Sequence, residues 1–452
     1  MPGDERAPML TRAVLSLRFR LGTWRRAIRR RWSMPVRRIA EPRPSQEVAV
    51  SVEVPVKNAG PELTDLIVRM NEQVGFRAVE IVIVDSGSTD GSAETAEALG
   101  ATVVRIAPQD FSHSYARNLG AERATGDYVL FTVQDALPSS ARWLLEMFSG
   151  LKRHQAAAVS CAEQPRPDSD LFYRAISWYH YRFMSADGTD AVLSRWADDT
   201  PMEQRRNAQV SDTACLIRRD LFLRYRHRGN YAEDLDLGLR LTGDGYRLVF
   251  LASTRIIHSH NRPAYYHLKR SYVEYLALFD LLPGFPAAAG DEASVTSDIV
   301  HSCAALDDLV RGPLQTLSPP RLPQQVQDAV ADGLRAAPGA NPDAPAPTHD
   351  YLDDRTRAFV ARLRNRSTSS VRADPGQNSL VDVVAGVARM ICAHLEDTGQ
   401  TLDRELLEDF NAALYKGWAQ HCGLRLASVY RGGPEEVRES LRDLHEELTR
   451  GV

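Results

Sequence analysis

The sequence predicts an α/β protein in which a mainly parallel β-sheet is flanked by helices on both faces. Short apolar runs alternate with segments of helical periodicity over residues 48–132, and Gly-, Pro- or Asp-containing turns separate them. Apolar residues make up 43% of the chain and charged residues 25%, as in globular proteins. Alternation of this kind indicates βαβ units, whose loops collect at one edge of the sheet and form a crevice there.

Each element follows from the local pattern. Apolar runs predict strands at 48–56, 79–84, 102–107 and 128–133. Apolar spacing of three and four predicts helices at 61–73, 91–100 and 114–126. Further along, a strand enters a helix at 210–222, a helix opens with acids at 232–246, and a final strand pair is expected at 247–261. The aromatic segment 171–184 either lines a groove or belongs to the core.

The C-terminal third differs in composition and is predicted to be mostly helical. Helical patterns cover residues 351–366, 380–395, 403–421 and 435–449, and a Pro- and Ala-rich stretch at 335–350 is typical of a flexible connector. The predicted division is an arm and linker at 1–46, a catalytic-type domain at 47–282 and a helical region at 283–452.

Charge and cysteine content narrow the class of protein. The net charge of −4 gives no general attraction to nucleic acid, so no nucleic-acid partner is expected. The five cysteines form no CxxC motif, which favours a reducing compartment over a disulfide framework. The sequence shows no secretory signal, and we expect a cytoplasmic location.

A basic, amphipathic pattern marks the N-terminal arm. Ten arginines and no acids lie between Thr11 and Arg38, while Leu17, Leu21 and Trp24 fall on one helical stripe. Such a helix can lie in an anionic membrane surface, which would place the protein peripherally on its inner face. Docking on the protein's own domain and a disordered basic arm are the alternatives.

Several polar residues stand where strands end. Asp135 follows the apolar run 128–133, and a carboxylate there suits Mg²⁺ or Mn²⁺ bridged to substrate phosphates. His258 and His260 alternate in the motif IIHSH, so both side chains point to one side of a strand and offer further ligands. The alternative for the histidines is a surface pair.

Two other acidic positions have both functional and structural interpretations. Asp85 follows the strand at 79–84 and can bind a base or ribose, or it can cap the next helix. Glu233 and Asp234 open a helix, where the dipole favours acids, and either carboxylate could act as a general base.

Taken together, the motifs resemble those of the family 2 glycosyltransferases with the GT-A fold. The resemblance runs from about residue 48 to residue 261. Within the family, the sequence looks most like the bacterial rhamnosyltransferase-type members. It depends on the stretches VPVKNAG, VDSGSTDGS, FSHSYARNLGAERATGDYVLFTVQDALP, AEDLDLGLRL and HSHN.

The resemblance implies a role for each matched residue. In the family, five positions hold the nucleotide of a sugar donor or border its pocket. The residues at these positions here are Pro55, Val56, Asp85, Arg117 and Gln134. Asp135 would bind the metal together with His258 or His260. Asp234 would be the catalytic base, with Glu233 beside it. The sequence departs from many members at Val133, where they carry an acid.

The function implied is an inverting glycosyltransferase that uses a nucleoside-diphosphate sugar and Mg²⁺ or Mn²⁺. A glycan or a lipid-linked acceptor in polysaccharide or glycolipid assembly is expected. One alternative is a glycosyltransferase that modifies a peptide or natural product. A second is a non-catalytic scaffold that binds nucleotide-sugars.

Overall fold

The structure of the chain is a computed structural model. The structure describes residues 36–37, 43–184, 188–336, 351–366 and 379–451. The predicted N-terminal helix and most of the predicted connector at 335–350 lie outside these residues.

One sheet organises the N-terminal half of the chain. Its strands are β1 (Ala49–Val56), β2 (Ala78–Asp85), β3 (Thr102–Arg105), β4 (Tyr128–Thr132), β5 (Leu137–Pro138), β6 (Ala158–Gln164), β7 (Ala191–Leu193), β8 (Ala214–Arg218) and β9 (Leu248–Ile257). Their order in the sheet is β3-β2-β1-β4-β8-β6-β9-β5, with β7 also paired to β9. The strands predicted from apolar runs are therefore present.

Parallel pairing predominates in the sheet, as predicted, but antiparallel strands make the sheet mixed. β1, β2, β3 and β4 pair in parallel, and so do β6 and β9. β8 runs antiparallel to both β4 and β6, and β5 and β7 run antiparallel to β9. The predicted final strand pair is a single strand, β9, because its register shift against β6 bends one continuous strand instead of ending it.

Helices cover both faces of this sheet, which confirms the α/β class. They are α1 (Pro61–Asn71), α2 (Ser92–Ala98), α3 (His113–Arg123), α4 (Trp143–His154), α5 (Leu171–Met184), α6 (Pro201–Asn207), α7 (Arg219–Tyr225) and α8 (Glu233–Gly243). α1 and α4 pack on one face, and α3, α7 and α8 pack on the other. All five cysteines are buried free thiols.

The C-terminal region is helical, as predicted. Its helices surround an apolar core of their own. Its helices are α9 (Ala264–Leu281), α10 (Glu292–Leu309), α11 (Pro323–Ala336), α12 (Asp354–Arg366), α13 (Leu380–Asp397), α14 (Arg404–Gly432), α15 (Glu435–Ser440) and α16 (Arg442–Thr449). Helices α10 and α11 were not predicted from the sequence. Among the described residues, no helix is both long and apolar enough to cross a bilayer.

The helical core extends into the N-terminal half of the sequence. Leu171 and Phe172 of α5 and Leu268 and Tyr272 of α9 are buried in the same apolar cluster as Trp418 of α14. The helical region therefore packs directly on two helices that follow strands of the sheet.

Replacement of Gly423 by Ala tests the close packing of α9 on α14. A Cβ at Gly423 would lie 2.8 Å from the backbone nitrogen of Tyr272 and closer still to the carbonyl oxygen of Leu268. Because backbone atoms cannot move aside as a side-chain end can, we expect the free energy of unfolding to fall by about 1–3 kcal/mol.

Gly386→Ala is the matched control. Gly386 also lies inside a helix, α13, but the nearest atom to its added Cβ is an Arg389 side-chain nitrogen at 3.6 Å. There the change should stabilise the protein by up to about 1 kcal/mol, because Ala has the higher helix propensity. Equal urea denaturation curves for the two variants would contradict the close approach at Gly423.

Candidate functional site

A cleft of about 640 Å³ opens where β1 and β4 end. Its lining includes Pro55, Val56, Arg117, Gln134, Asp135 and His260, which are six of the ten predicted site residues. Sequence analysis did not single out other lining residues: Lys57, Glu62, Ser86, Pro108, Phe111, His113, Arg166, Asp168 and Arg262. The volume lies within the range that small-molecule sites occupy.

Gln134 joins the ends of the two central strands. Its side-chain oxygen accepts from the backbone N–H of Lys57 at 2.9 Å, and its amide nitrogen donates to the Lys57 carbonyl at 3.4 Å. The Lys57 ammonium donates to the Ser86 carbonyl at 3.2 Å, so the loops after β1, β2 and β4 are connected. These bonds fix the floor of the cleft.

Asp85 is placed differently from the other predicted nucleotide-binding residues. It is buried, and its carboxylate accepts from the backbone N–H groups of Gly87 and Ser88 at 3.1–3.3 Å. The carboxylate thus shapes its own turn, and Asp85 is not among the residues that line the cleft.

Asp135, His258 and His260 come together at one end of the cleft. His258 Nε2 lies 3.7 Å from one carboxylate oxygen of Asp135, and His260 Nδ1 lies 3.4 Å from the other. The two Nε2 atoms are 3.1 Å apart. One ligand atom from each of the three side chains falls within 4.8 Å of the others, which is the arrangement of a group that can hold a divalent metal.

A carboxylate and a phenol support His258 from behind. Glu163 Oε2 lies 2.8 Å from His258 Nδ1, and the Tyr173 hydroxyl donates to the same oxygen at 2.5 Å. Burial alone would raise the pKa of Glu163, but the hydrogen bonds from His258 and Tyr173 outweigh it and lower that pKa to about 2. Burial and the adjacent His258 lower the pKa of His260 to about 4.

Arg166 joins the two segments that carry the Asp–His–His group. Its guanidinium donates to the Asp135 carbonyl and, at 3.1 Å, to the Ser259 carbonyl. Its backbone N–H also donates to the Ser259 hydroxyl at 3.1 Å. Because Ser259 lies between the two histidines, these bonds hold them against Asp135.

Beneath the cleft, Arg117 occupies a buried network of charged residues. Its Nε lies 2.8 Å from Asp212 and its NH1 lies 3.4 Å from Glu53. Burial raises the pKa of Glu53 to about 8, although Arg117 acts in the opposite direction. Glu53 therefore holds a proton more readily than an exposed glutamate, and Asp212 is the acid that mainly balances Arg117.

The acidic pair at the start of α8 joins this network. Glu233 Oε1 lies 3.9 Å from Arg117 Nε, and the carbonyl of Glu233 lies 3.2 Å from Nδ1 of His227. Asp234 accepts the backbone N–H of Leu235 at 2.7 Å through one oxygen. Burial, with the charges of Asp212 and Glu233, raises the pKa of Asp234. A carboxylate with a raised pKa is a stronger base, as a proton acceptor at neutral pH must be.

Six of the residues that were not predicted from the sequence support predicted site residues. They are Glu53, Glu163, Arg166, Tyr173, Asp212 and His227. Glu53 carried a signal, because it interrupts an apolar strand at a position that faces the interior. Tyr173 lies in the aromatic segment 171–184, which was predicted to line a groove or to belong to the core, and the other four belong to no motif.

Part of the chain that forms this sheet resembles a known sequence family. Residues 51–224 match the sequence model of the family described as Glycosyl transferase family 2. This part of the chain, less than half of its length, is similar to family 2 of the glycosyltransferases.

Relatives with assigned names agree with the family. The O-antigen chain rhamnosyltransferase WbaN of Salmonella anatum is 25% identical over 212 residues, which are 46% of this chain and 65% of the relative. The O-antigen chain rhamnosyltransferase RfbN of Salmonella typhimurium is 22% identical over 217 residues, or 47% of this chain and 67% of the relative. The matched part thus spans about two thirds of each relative.

A solved structure is similar over a greater length. It is a mannosyltransferase from Pyrobaculum calidifontis in complex with GDP-Man and Mn²⁺, 17% identical, with a TM-score of 0.42. The alignment covers 91% of this chain and 93% of the mannosyltransferase.

Proposed function

We propose that this protein is an inverting glycosyltransferase that moves a sugar from a nucleoside-diphosphate sugar to an acceptor hydroxyl. The observation that carries the proposal is the gathering of Asp135, His258 and His260 at the end of a cleft in a domain similar to family 2. The nucleotide would lie over Pro55 and Val56, and its diphosphate would face Asp135.

The residues at this end of the cleft fit a divalent cation. Asp135 offers an oxygen, and His258 and His260 each offer a ring nitrogen. Carboxylates suit Mg²⁺ and Mn²⁺, but imidazole ligands favour Mn²⁺ over Mg²⁺, which prefers an all-oxygen shell. A bound cation would neutralise negative charge on the leaving diphosphate.

The chain's own residues supply the remaining chemistry. Asp234 would take the proton from the acceptor hydroxyl, and its raised pKa suits that task. The acceptor oxygen would attack the sugar carbon from the side opposite the diphosphate, so the configuration inverts without a covalent enzyme intermediate. Lys57 and Arg166 add positive charge to the cleft wall.

A surface polysaccharide or its lipid-linked precursor is the acceptor that the relatives favour. Two of them are named O-antigen chain rhamnosyltransferases. O-antigen is a glycan, so the corresponding acceptor here would be a glycan hydroxyl. The same two names make a deoxyhexose the candidate for the donor sugar.

Asp135→Ala should abolish the metal dependence of nucleoside-diphosphate binding. The variant loses the carboxylate that would hold the cation together with the two histidines, so added Mn²⁺ should no longer strengthen binding of the diphosphate. Calorimetric titration with UDP, GDP and dTDP, in Mn²⁺ and in EDTA, measures the effect. Asp110→Ala, at an exposed acid near the same cleft, should bind as wild type does. Equal affinity of the wild-type protein in Mn²⁺ and EDTA would refute the metal site.

The N-terminal arm is proposed to bring the enzyme to an anionic membrane. We expect the full chain to sediment with vesicles containing phosphatidylglycerol and a chain shortened to begin near Val48 to remain in solution. Each arginine near such a surface contributes about 1 kcal/mol, so binding should weaken as salt rises. The double variant Leu21→Glu, Trp24→Glu should release the full chain from the vesicles. If the wild-type full chain and the shortened chain sediment alike, the arm has no membrane role.

A further inference from the structure

We propose that Glu163 and Tyr173 are positioning residues that hold His258 with its Nε2 presented to a cation beside Asp135. The inference rests on the proposed metal site and assigns to it two residues that no sequence motif indicated. Glu163 is the next-to-last residue of β6 and Tyr173 lies in the first turn of α5, so neither belongs to the segment that carries His258.

The contacts around the His258 ring define its orientation. Nδ1 faces the Glu163 carboxylate at 2.8 Å, and Nε2 faces Asp135 and His260 on the other side of the ring. A carboxylate cannot donate, so Nδ1 must carry the proton. Nε2 is then the nitrogen with a free lone pair, as a metal ligand requires.

Tyr173 fixes the carboxylate in turn. Its hydroxyl donates to the same Glu163 oxygen that His258 uses and lies 3.2 Å from His258 Nδ1. The backbone N–H of His258 also donates to the Gln164 carbonyl at 3.1 Å. The ring therefore cannot swing away from Asp135 without breaking its hydrogen bond to Glu163, which Tyr173 holds in place.

α5 is itself held firmly at this end. Asp170 accepts the backbone N–H of Tyr173 at 2.8 Å and pairs with Lys416 of α14 at 2.7 Å. The backbone N–H of Asp170 donates to the side-chain oxygen of Asn261, also at 2.8 Å, which ties α5 to the segment directly after His260. The position of Tyr173 is thus determined by the helical region and by the histidine segment together.

A charged carboxylate on the far nitrogen makes a histidine a better ligand, because it fixes the tautomer and raises the basicity of the ligating nitrogen. Removing such a partner typically weakens metal binding by about 10–100-fold. The expected role of Glu163 is therefore visible in metal affinity itself, before any substrate is present.

The experiment titrates the folded protein with Mn²⁺ and follows the free ion by electron paramagnetic resonance. Glu163→Ala should raise the Mn²⁺ Kd by about 10–100-fold. Glu163→Gln keeps an acceptor oxygen without the charge and should fall between it and wild type. Tyr173→Phe should give a smaller rise, whereas Tyr179→Phe, at a 60% exposed tyrosine on the same helix, should give none.

A double-mutant cycle separates positioning from general damage. If Glu163 acts through His258, Glu163→Ala should add less than about twofold to the Kd of a His258→Ala variant, because coupled residues are not additive. Additive losses, or a Kd in both Glu163 variants within twofold of wild type, would overturn the inference and leave the transferase proposal standing. A wild-type protein that binds no Mn²⁺ would overturn both this inference and the metal site, while nucleotide binding in EDTA would still support a metal-independent transferase.

Discussion

Replacing Asp234 by Asn is expected to lower kcat by about 10²–10⁴-fold and to leave donor affinity nearly unchanged. The amide occupies the same volume at the start of α8 but cannot accept the acceptor's proton. Initial rates at saturating donor, with the sugar nucleotide consumption monitored, measure the loss. The acidic limb of the wild-type pH–rate profile should lie above the usual carboxyl range, because the base acts in its ionised form and burial raises its pKa.

Asp236→Asn is the matched control for this experiment. Asp236 lies on the same helix, but its carboxylate pairs with Arg240 one turn later, so the variant should turn over near the wild-type rate. Glu233→Gln tests the neighbouring acid. If Asp234→Asn keeps full activity and Asp236→Asn or Glu233→Gln loses it, the residue whose variant is inactive is the catalytic base.

Replacing Arg117 by Met is expected to reduce the free energy of unfolding by about 3–5 kcal/mol. Arg117 is 3% exposed, and without it the Asp212 carboxylate keeps the His227 ring nitrogen, at 3.2 Å, as its neighbour within the described network. A buried carboxylate that loses its cation retains the full cost of desolvation. Urea denaturation followed by tryptophan fluorescence measures the change.

Two further variants check the cause of that loss. Arg105→Met removes an exposed arginine that pairs with Glu97 and should cost less than about 1 kcal/mol. Asp212→Asn in the Arg117→Met background should recover part of the stability, because the unpaired charge is then absent. An Arg117→Met protein as stable as the Arg105→Met protein would show that the buried network contributes little.

Local pattern was sufficient to predict most of the α/β half. The strand at 128–133 and the helix at 232–246 appear close to their predicted bounds as β4 and α8, because each pairs a buried apolar face with clear turn signals. The direction of β8 was not predictable in this way. An apolar run reads the same whether its neighbour is parallel or antiparallel, so the mixed sheet emerged only from the tertiary pairing.

The candidate site divides along the same line. Asp135, His258 and His260 belong to short motifs, and the structure brings them together. Glu163 supports His258 from 95 positions away, and no local pattern marks such a pair. Asp85 shows the converse, since a motif singled it out and the structure gives its carboxylate to the adjacent turn.

The packing of α9 on α14 has a consequence for how the chain is made. Leu268 and Tyr272 of α9 are complete long before their partners near Gly423, since residues 282–403 must be synthesised in between. At about 5–20 residues per second a ribosome needs on the order of ten seconds for that interval. During this interval the apolar face of α9 lies uncovered next to the sheet and its cleft. The contacts that close the helical core are distant in sequence and therefore slow to form, and during synthesis this helix is the surface that a chaperone would have to shield.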